Sequence, residues 1–185
     1  MKERVLGLEK ERTPLSHIAF VMDGNRRWAK LHDLPLIEGY REGEKRIDPI
    51  VRKCIELGTQ VVTFYTLSID NLERPEEEVK GLFKVLREGV PLMLRKLDKE
   101  DVRFCSLGDV SRFPTDIQDA VREAGVLTQN KEGIILNLAL AYGGRDEIKR
   151  AFQGIIKAGA KEEEITEKLI SNSLDTGDQP DPELI

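Results

Sequence analysis

Residues 23–28, Asp-Gly-Asn-Arg-Arg-Trp, place an acid, a glycine, an amide and two cations directly behind an apolar run, Phe20-Val21-Met22. Three later segments repeat that mixture behind apolar runs of their own. They are Ser68, Asp70, Asn71, Glu73 and Arg74; Gly108, Asp109, Ser111 and Arg112; and Tyr142, Gly143, Gly144, Arg145 and Asp146. Each segment holds an arginine and an acid, a set suited to a phosphate ester or diphosphate with a divalent cation. Arginine forks grip phosphate oxygens in pairs. Glycine lets backbone N–H groups approach the oxygens, and helix N-termini add favourable dipoles. A single carboxylate such as Asp23 can hold Mg²⁺, which keeps most of its waters and shares substrate phosphate oxygens. Ser68 and Asn71 add neutral donors.

Each segment also has a plainer reading. Asp-Gly behind a strand is a common turn, and Asp109 with Ser111 a common cap. Asp146 suits a helix first turn, Arg112 and Arg145 suit structural ion pairs, and Trp28 suits packing at a helix start. Convergence on one face raises the chemical reading above these.

The elements that would position the four segments follow from periodicity. Short, nearly continuous apolar runs at His17–Met22, Gln60–Leu67, Val102–Leu107 and Ile134–Ala141 predict strands covered on both faces. Helical spacing predicts helices over Glu38–Leu57, from Pro75 to about Leu97, over Pro114–Leu127 and Asp146–Ala158, and over 161–174. Gly58 stops the first of these. Pro75 and three glutamates open the second, which carries Val79, Leu82, Phe83, Leu86, Val90, Met93, Leu94 and Leu97, with Pro91 placed to kink it. Strand–helix alternation predicts an α/β fold, a parallel β-sheet flanked by helices with right-handed crossovers. Ligands bind such sheets beyond the strands' carboxyl ends, where the four segments fall. The 185 residues are read as one domain with an N-terminal arm over 1–16 that breaks at Pro14.

Composition narrows the class. Apolar residues at 39% and charged residues at 34% describe a globular chain with a full core, not a disordered one. A net charge of −5 argues against nucleic acid as partner. Cys54 and Cys105 lie in apolar patterns and are expected as buried free thiols. The charged segment 1–16 lacks a signal-peptide core, and no run of about 20 apolar residues occurs, so the expected compartment is the cytoplasm. No G-x-G-x-x-G or P-loop is present. His17 and His32 stand outside any zinc spacing. A haloacid-dehalogenase-type phosphatase would need a second Asp where Asn25 stands, which leaves an unrelated Mg²⁺-dependent phosphoester hydrolase as an alternative.

"HIAFVMDGNRRWAK" (17–30) resembles the signature of the cis-prenyltransferases, which include undecaprenyl diphosphate synthase. "FYTLSIDNLERPEEEV" (64–79), "GDVSRFP" (108–114) and "LNLALAYGGRDEI" (136–148) resemble that family's later motifs, in order. The trans-prenyltransferase motif DDxxD is absent, so the resemblance implies the α/β fold and not the all-α one. It implies an isoprenyl transferase that condenses isopentenyl diphosphate with an allylic diphosphate (farnesyl or geranylgeranyl) into a Z-polyprenyl diphosphate lipid carrier, with Mg²⁺ as cofactor. By motif match Asp23 is the metal-associated acid, and Asn25, Ser68 and Asn71 join it as catalytic residues. Gly24, Arg26, Arg27, Trp28, Arg41, Arg74 and Glu78 are assigned to substrate binding. The helices over 38–57 and 76–98 are candidate walls for a product tunnel, although any one of their apolar residues equally suits the core. A homodimer and transient contact with a membrane surface for product release complete the implied partners.

Three departures qualify the resemblance. Arg26 follows Asp-Gly-Asn where the family commonly has glycine. Leu36 and Gly39-Tyr40 stand where the family has an arginine and a Gly-His pair, so two diphosphate contacts are in doubt and Arg26 or Arg41 would compensate. The segment "DQPDPELI" (178–185) is followed in the family by an arginine-rich strand end that holds isopentenyl diphosphate; the 185 residues alone are therefore expected to be weakly active or inactive. A non-catalytic partner subunit is the other alternative within the family, but such partners lose Asp-Gly-Asn, which is kept here.

Overall fold

The computed structural model describes residues 14–97 and 100–185. The expected arm over 1–16, apart from residues 14–16, lies outside them, as do the side chains of Leu94 and Leu97. Strands β1 (His17–Val21), β2 (Val61–Ser68), β3 (Val102–Leu107) and β4 (Ile134–Tyr142) form one parallel sheet in the order β1-β2-β4-β3. Each lies within one residue of its predicted limits, because a buried parallel strand reads as an unbroken apolar run. Central β4 is buried along nearly its whole length.

Seven helices accompany the sheet among the described residues: α1 (Asn25–Leu31), α2 (Leu36–Glu44), α3 (Ile47–Glu56), α4 (Glu76–Leu97), α5 (Thr115–Thr128), α6 (Gly144–Lys157) and α7 (Glu167–Ser173). The single helix expected over 38–57 is thus two, broken at Lys45-Arg46. Pro49 explains the break. It has no N–H to give the Lys45 carbonyl and its ring would strike that carbonyl, so it is tolerated only in the first turn of a new helix. The helix expected over 161–174 is likewise interrupted. A 3₁₀ turn at Glu162–Glu164 comes first, and Thr166 then caps α7 by accepting from the Leu169 N–H at 3.2 Å. Pro91 lies inside a continuous α4.

One face of the sheet, with Ile18, Val62, Phe64, Leu136 and Leu138, packs against α3, α4 and α5 through Val51, Cys54, Leu82, Val90, Ile117 and Val121. Phe20 stacks on Phe64 with ring centroids 5.4 Å apart. Cys54 is in this core and Cys105 is half-buried; both are free, and burial pushes each thiol up. The other face carries a polar chain. Asn137 Nδ2 donates to Thr63 Oγ1 at 2.9 Å, and His17 Nε2 lies 2.7 Å from the same oxygen. Residues 175–184 cover this face: Gln179 pairs with the Asn137 amide, His17 Nδ1 lies 2.7 Å from the Pro180 carbonyl, and Leu184 bridges to Ile18 at the open edge of β1.

The β2–β4 register slips after Tyr65, where Tyr65 pairs with Ala139 but Leu67 with Leu140. Thr66 donates its hydroxyl to the Ala139 carbonyl at 2.7 Å across the slip. Such a bulge re-aims the residues beyond it. It turns Leu67 towards the helices and delivers Ser68 to the strand end.

Candidate active site

The first strand end is shaped by Gly24, whose φ of 91° lies where side-chain-bearing residues are strained. The turn holds Asp23 out to solvent, its side chain 77% exposed. Asp23 Oδ1 accepts from the Gly24 N–H, and Oδ2 accepts from Arg27 at 2.9 Å. Arg27 is equally open, at 76%. Trp28 lies one residue further along α1 and stacks on His32, centroids 4.2 Å apart.

Asn25 points inward instead. Its Nδ2 donates to the Met22 carbonyl at 3.2 Å, and α2 presses on it. Gly39 and Gly43 make that approach possible: a Cβ on Gly39 would stand 2.2 Å from the Asn25 carbonyl oxygen, and one on Gly43 would stand 2.5 Å from Oδ1.

At the second strand end Ser68 and Asn71 cap one another. The Asn71 N–H donates to Ser68 Oγ at 3.3 Å, and the Ser68 N–H donates to Asn71 Oδ1 at 3.1 Å. The pair uses acceptor atoms, which leaves the Ser68 hydroxyl hydrogen and the Asn71 amide hydrogens as donors to a ligand.

Glu78, in the first turn of α4 and only 9% exposed in its side chain, joins the two ends. It accepts from Tyr40 at 2.7 Å and from Arg74 at 2.7 Å, and Arg26 stands 3.9 Å from its other oxygen. Arg74 also donates to the Tyr40 hydroxyl at 2.8 Å. Burial works against the Glu78 charge, but the bonds from Tyr40 and Arg74 outweigh it and hold the carboxyl below its usual range. Burial and the bond to Glu78 push the Tyr40 phenol up to about 12. Tyr40 is therefore a neutral hydroxyl that both donates and accepts.

The third and fourth ends differ. Asp109 accepts from Ser111 and from Arg112 at 3.1 Å; Asp146 accepts from Arg112 at 3.4 Å, Lys149 at 2.6 Å and Arg150 at 3.1 Å. Arg150 forks onto Asp175 at 2.6 and 2.7 Å, and Asp175 Oδ2 also accepts from the Gly108 N–H at 2.7 Å. The acids of this network already have partners. Arg145 at the fourth end is exposed and makes no ion pair among the described residues, and the exposed acid–arginine pair Asp23 with Arg27 stands at the first end.

Below those ends, between α2, α4 and the sheet, lies a cavity of about 90 Å³. Leu67, Leu86, Val90, Met93 and Leu138 line it, with Met22 and Asn25 at its boundary with the first strand end. Of the apolar α4 residues, Leu82, Val85, Leu86, Val90 and Met93 thus face a void, whereas Phe83 packs edge-on against Phe113 at 5.7 Å. Among the described residues no group of three or more His, Cys, Asp or Glu side chains could enclose a metal.

The profile of the undecaprenyl diphosphate synthase family matches residues 21–185. The chain belongs to that family. It is 42% identical over 173 residues to the isoprenyl transferase of Clostridium perfringens, covering 91% of this chain and 68% of that one. It is 38% identical over 168 residues to the isoprenyl transferase of Neisseria gonorrhoeae, covering 91% of this chain and 67% of that one. The chain therefore spans about two thirds of each relative. The crystal structure of lavandulyl diphosphate synthase from Lavandula x intermedia in complex with dimethylallyl diphosphate superposes with a TM-score of 0.83 at 30% identity, over 88% of this chain and 72% of that one. The α/β cis-prenyltransferase architecture expected from the motifs is the one found.

Within this member of the family, the geometry sorts the sequence-derived site residues. Asp23, Gly24 and Arg27 form the open first end, Asn25 the boundary of the cavity, Ser68 and Asn71 a mutual cap, and Arg26, Arg74 and Glu78 one cluster. Arg41 stands apart, held between Glu38 at 2.7 Å and Glu88 at 2.8 Å. Leu36 lines the outer groove between α2 and α4. Sequence reasoning did not single out Gly39 and Gly43 as the seat of Asn25, although two glycines four apart on an expected helix were a legible sign of close approach. It marked Tyr40 only as a departure; its place in the Glu78 cluster needed the fold.

Proposed function

We propose that the first two strand ends bind an allylic diphosphate together with Mg²⁺, that the cavity beneath takes the prenyl tail, and that the chain serves cis-prenyl transfer with isopentenyl diphosphate as second substrate. One observation carries this reading. An exposed acid–arginine pair, Asp23 with Arg27, belongs to the same strand-end turn as Met22 and Asn25, which line an apolar cavity. A charged head and a hydrocarbon tail would need that pairing.

The donor set fits Mg²⁺. An exposed carboxylate with hard oxygens and no neighbouring acid cage suits an ion that keeps its waters and binds through substrate phosphates. Asp23 would hold it, and when bound it would neutralise charge on the departing diphosphate. The allylic C–O bond breaks with its electron pair going to that diphosphate, so cations must face the leaving oxygens. Arg27 is placed for this. Arg26 is tethered only loosely to Glu78 and can share it. Ser68 and Asn71 donate to oxygens without adding charge. Arg74 and Glu78, fixed by Tyr40, would orient the second strand end, and Trp28 follows Arg27 on α1. The homodimer, a cytoplasmic site and transient membrane-surface contact belong to the same proposal; they rest on the resemblance, and the described residues include no helix long and apolar enough to cross a membrane.

Trp28, the chain's single tryptophan, provides the test. An unreactive thio analogue of farnesyl diphosphate is expected to quench its fluorescence saturably with Mg²⁺ present, in competition with inorganic diphosphate. Absence of binding, with Asp23-dependent release of phosphate from p-nitrophenyl phosphate, would replace prenyl transfer by ester hydrolysis.

A further inference from the structure

Glu44, the last residue of α2, is the only carboxylate among the described residues that lines the apolar cavity. It lies in a notch on α4. Gly89 has no side chain, and a Cβ there would stand 3.4 Å from Glu44 Cγ and 3.5 Å from Cδ. Of the nearby cations, Arg41 is engaged with Glu38 and Glu88, and both Lys45 and Arg46 with Glu42, while Lys96 has no ion pair among the described residues and makes none with Glu44. Glu44 itself has no ion pair or side-chain hydrogen bond among the described residues. With Ile47 and Met93 it also lines a second, smaller cavity of about 20 Å³ that opens between Lys45, Asp48 and Lys96. Glu44 therefore stands where the apolar chamber gives way to a polar outlet.

We propose that Glu44 limits the length of the prenyl tail the cavity accepts, an inference that rests on the function proposed above. A tail that stops short of Glu44 gains from each methylene it buries. A tail that reaches it must strip water from an unpaired carboxylate, and that cost outweighs a further methylene. The notch at Gly89 keeps the carboxylate at the cavity wall.

The test measures affinities of geranyl, farnesyl and geranylgeranyl thiodiphosphates by Trp28 quenching in the wild type, Glu44→Leu and Glu44→Gln. Wild-type affinity is expected to rise from geranyl to farnesyl and fall at geranylgeranyl. Glu44→Leu should tighten geranylgeranyl about tenfold, or about 1.4 kcal/mol, and leave inorganic diphosphate unchanged. Glu44→Gln keeps the shape without the charge and should move the limit the same way by less, so it decides the matter if Glu44→Leu fails to fold. An unchanged length profile in the folded variants overturns the role of Glu44 and leaves the proposed function standing. If the wild type binds none of the three, the proposed function fails and the role of Glu44 with it.

Discussion

Asn25 occupies the space a side chain at residue 43 would need: a Cβ on Gly43 would stand 2.5 Å from Asn25 Oδ1 and 3.1 Å from Nδ2. At Gly39 the obstacle is backbone, with the Asn25 carbonyl oxygen 2.2 Å away. The two glycines therefore predict different failures. Gly39→Ala forces α1 and α2 apart and should destabilise by about 1–3 kcal/mol, read as a melting temperature lower by roughly 2–4 °C for each kcal/mol. Gly43→Ala meets only the end of an amide. The helix gain from alanine, about 1 kcal/mol, should offset the contact, while the displaced amide weakens binding of the farnesyl analogue. Equal stability losses in the two variants would contradict this.

Tyr40 donates to Glu78 and accepts from Arg74, so Tyr40→Phe leaves a largely buried carboxylate and a partly buried guanidinium each one bond short. The loss should be about 1.5–3 kcal/mol, the range for hydrogen bonds to charged groups. The Glu78 pKa should rise, because one of the two bonds holding it down is gone. Thermal melts and carboxyl titration by NMR measure both. A variant as stable as the wild type, with Glu78 unmoved, would show that the Tyr40 hydroxyl holds nothing.

All three tyrosines, Tyr40, Tyr65 and Tyr142, are pushed up, in each case chiefly by burial. An unfolded phenol loses its proton near the ordinary value of 10.0, whereas folded Tyr40 keeps it to about 12. Across that window the unfolded state binds fewer protons than the folded one, so stability falls as pH rises. Phenolate absorbance should stay flat through pH 10 while the protein is folded and then rise together with unfolding. A tyrosine that titrates normally in the folded protein would refute its burial.

Arg41 answers to Glu38 and Glu88 and not to the strand ends. Arg41→Ala should therefore leave affinity for the farnesyl analogue unchanged within twofold, since isolated surface pairs contribute about 0–1 kcal/mol. Arg26→Gly, by contrast, removes a cation that faces Glu78 across the site and should weaken binding. The reverse ranking would give Arg41 the compensating role considered from sequence.

Much of this was legible before the fold. The strands were legible because both their faces are buried, and the motif segments fall at their ends because ligand loops follow parallel strands. What escaped was long-range. Nothing in 108–112 or 142–146 indicates that Arg150 and Asp175 lock those ends, since the partner acid comes from beyond α7. The break before α3 was readable from Pro49, but the apolar stripe ran through it. Whether Leu86 or Phe83 faced a void depended on how α4 turns against α5, which spacing alone leaves open.

On the proposed function, Asp23 and the first strand end hold an allylic diphosphate with Mg²⁺ above an apolar cavity. Titration of the unreactive farnesyl analogue against the wild type and Asp23→Ala, with and without Mg²⁺, tests it most directly. At 77% exposure Asp23 carries little of the fold, so the variant should melt within about 1 kcal/mol of the wild type. Binding to the wild type should be enhanced by Mg²⁺, and Asp23→Ala should lose that enhancement, with affinity at least about tenfold weaker. Equal affinity and equal Mg²⁺ response in the two proteins would contradict it.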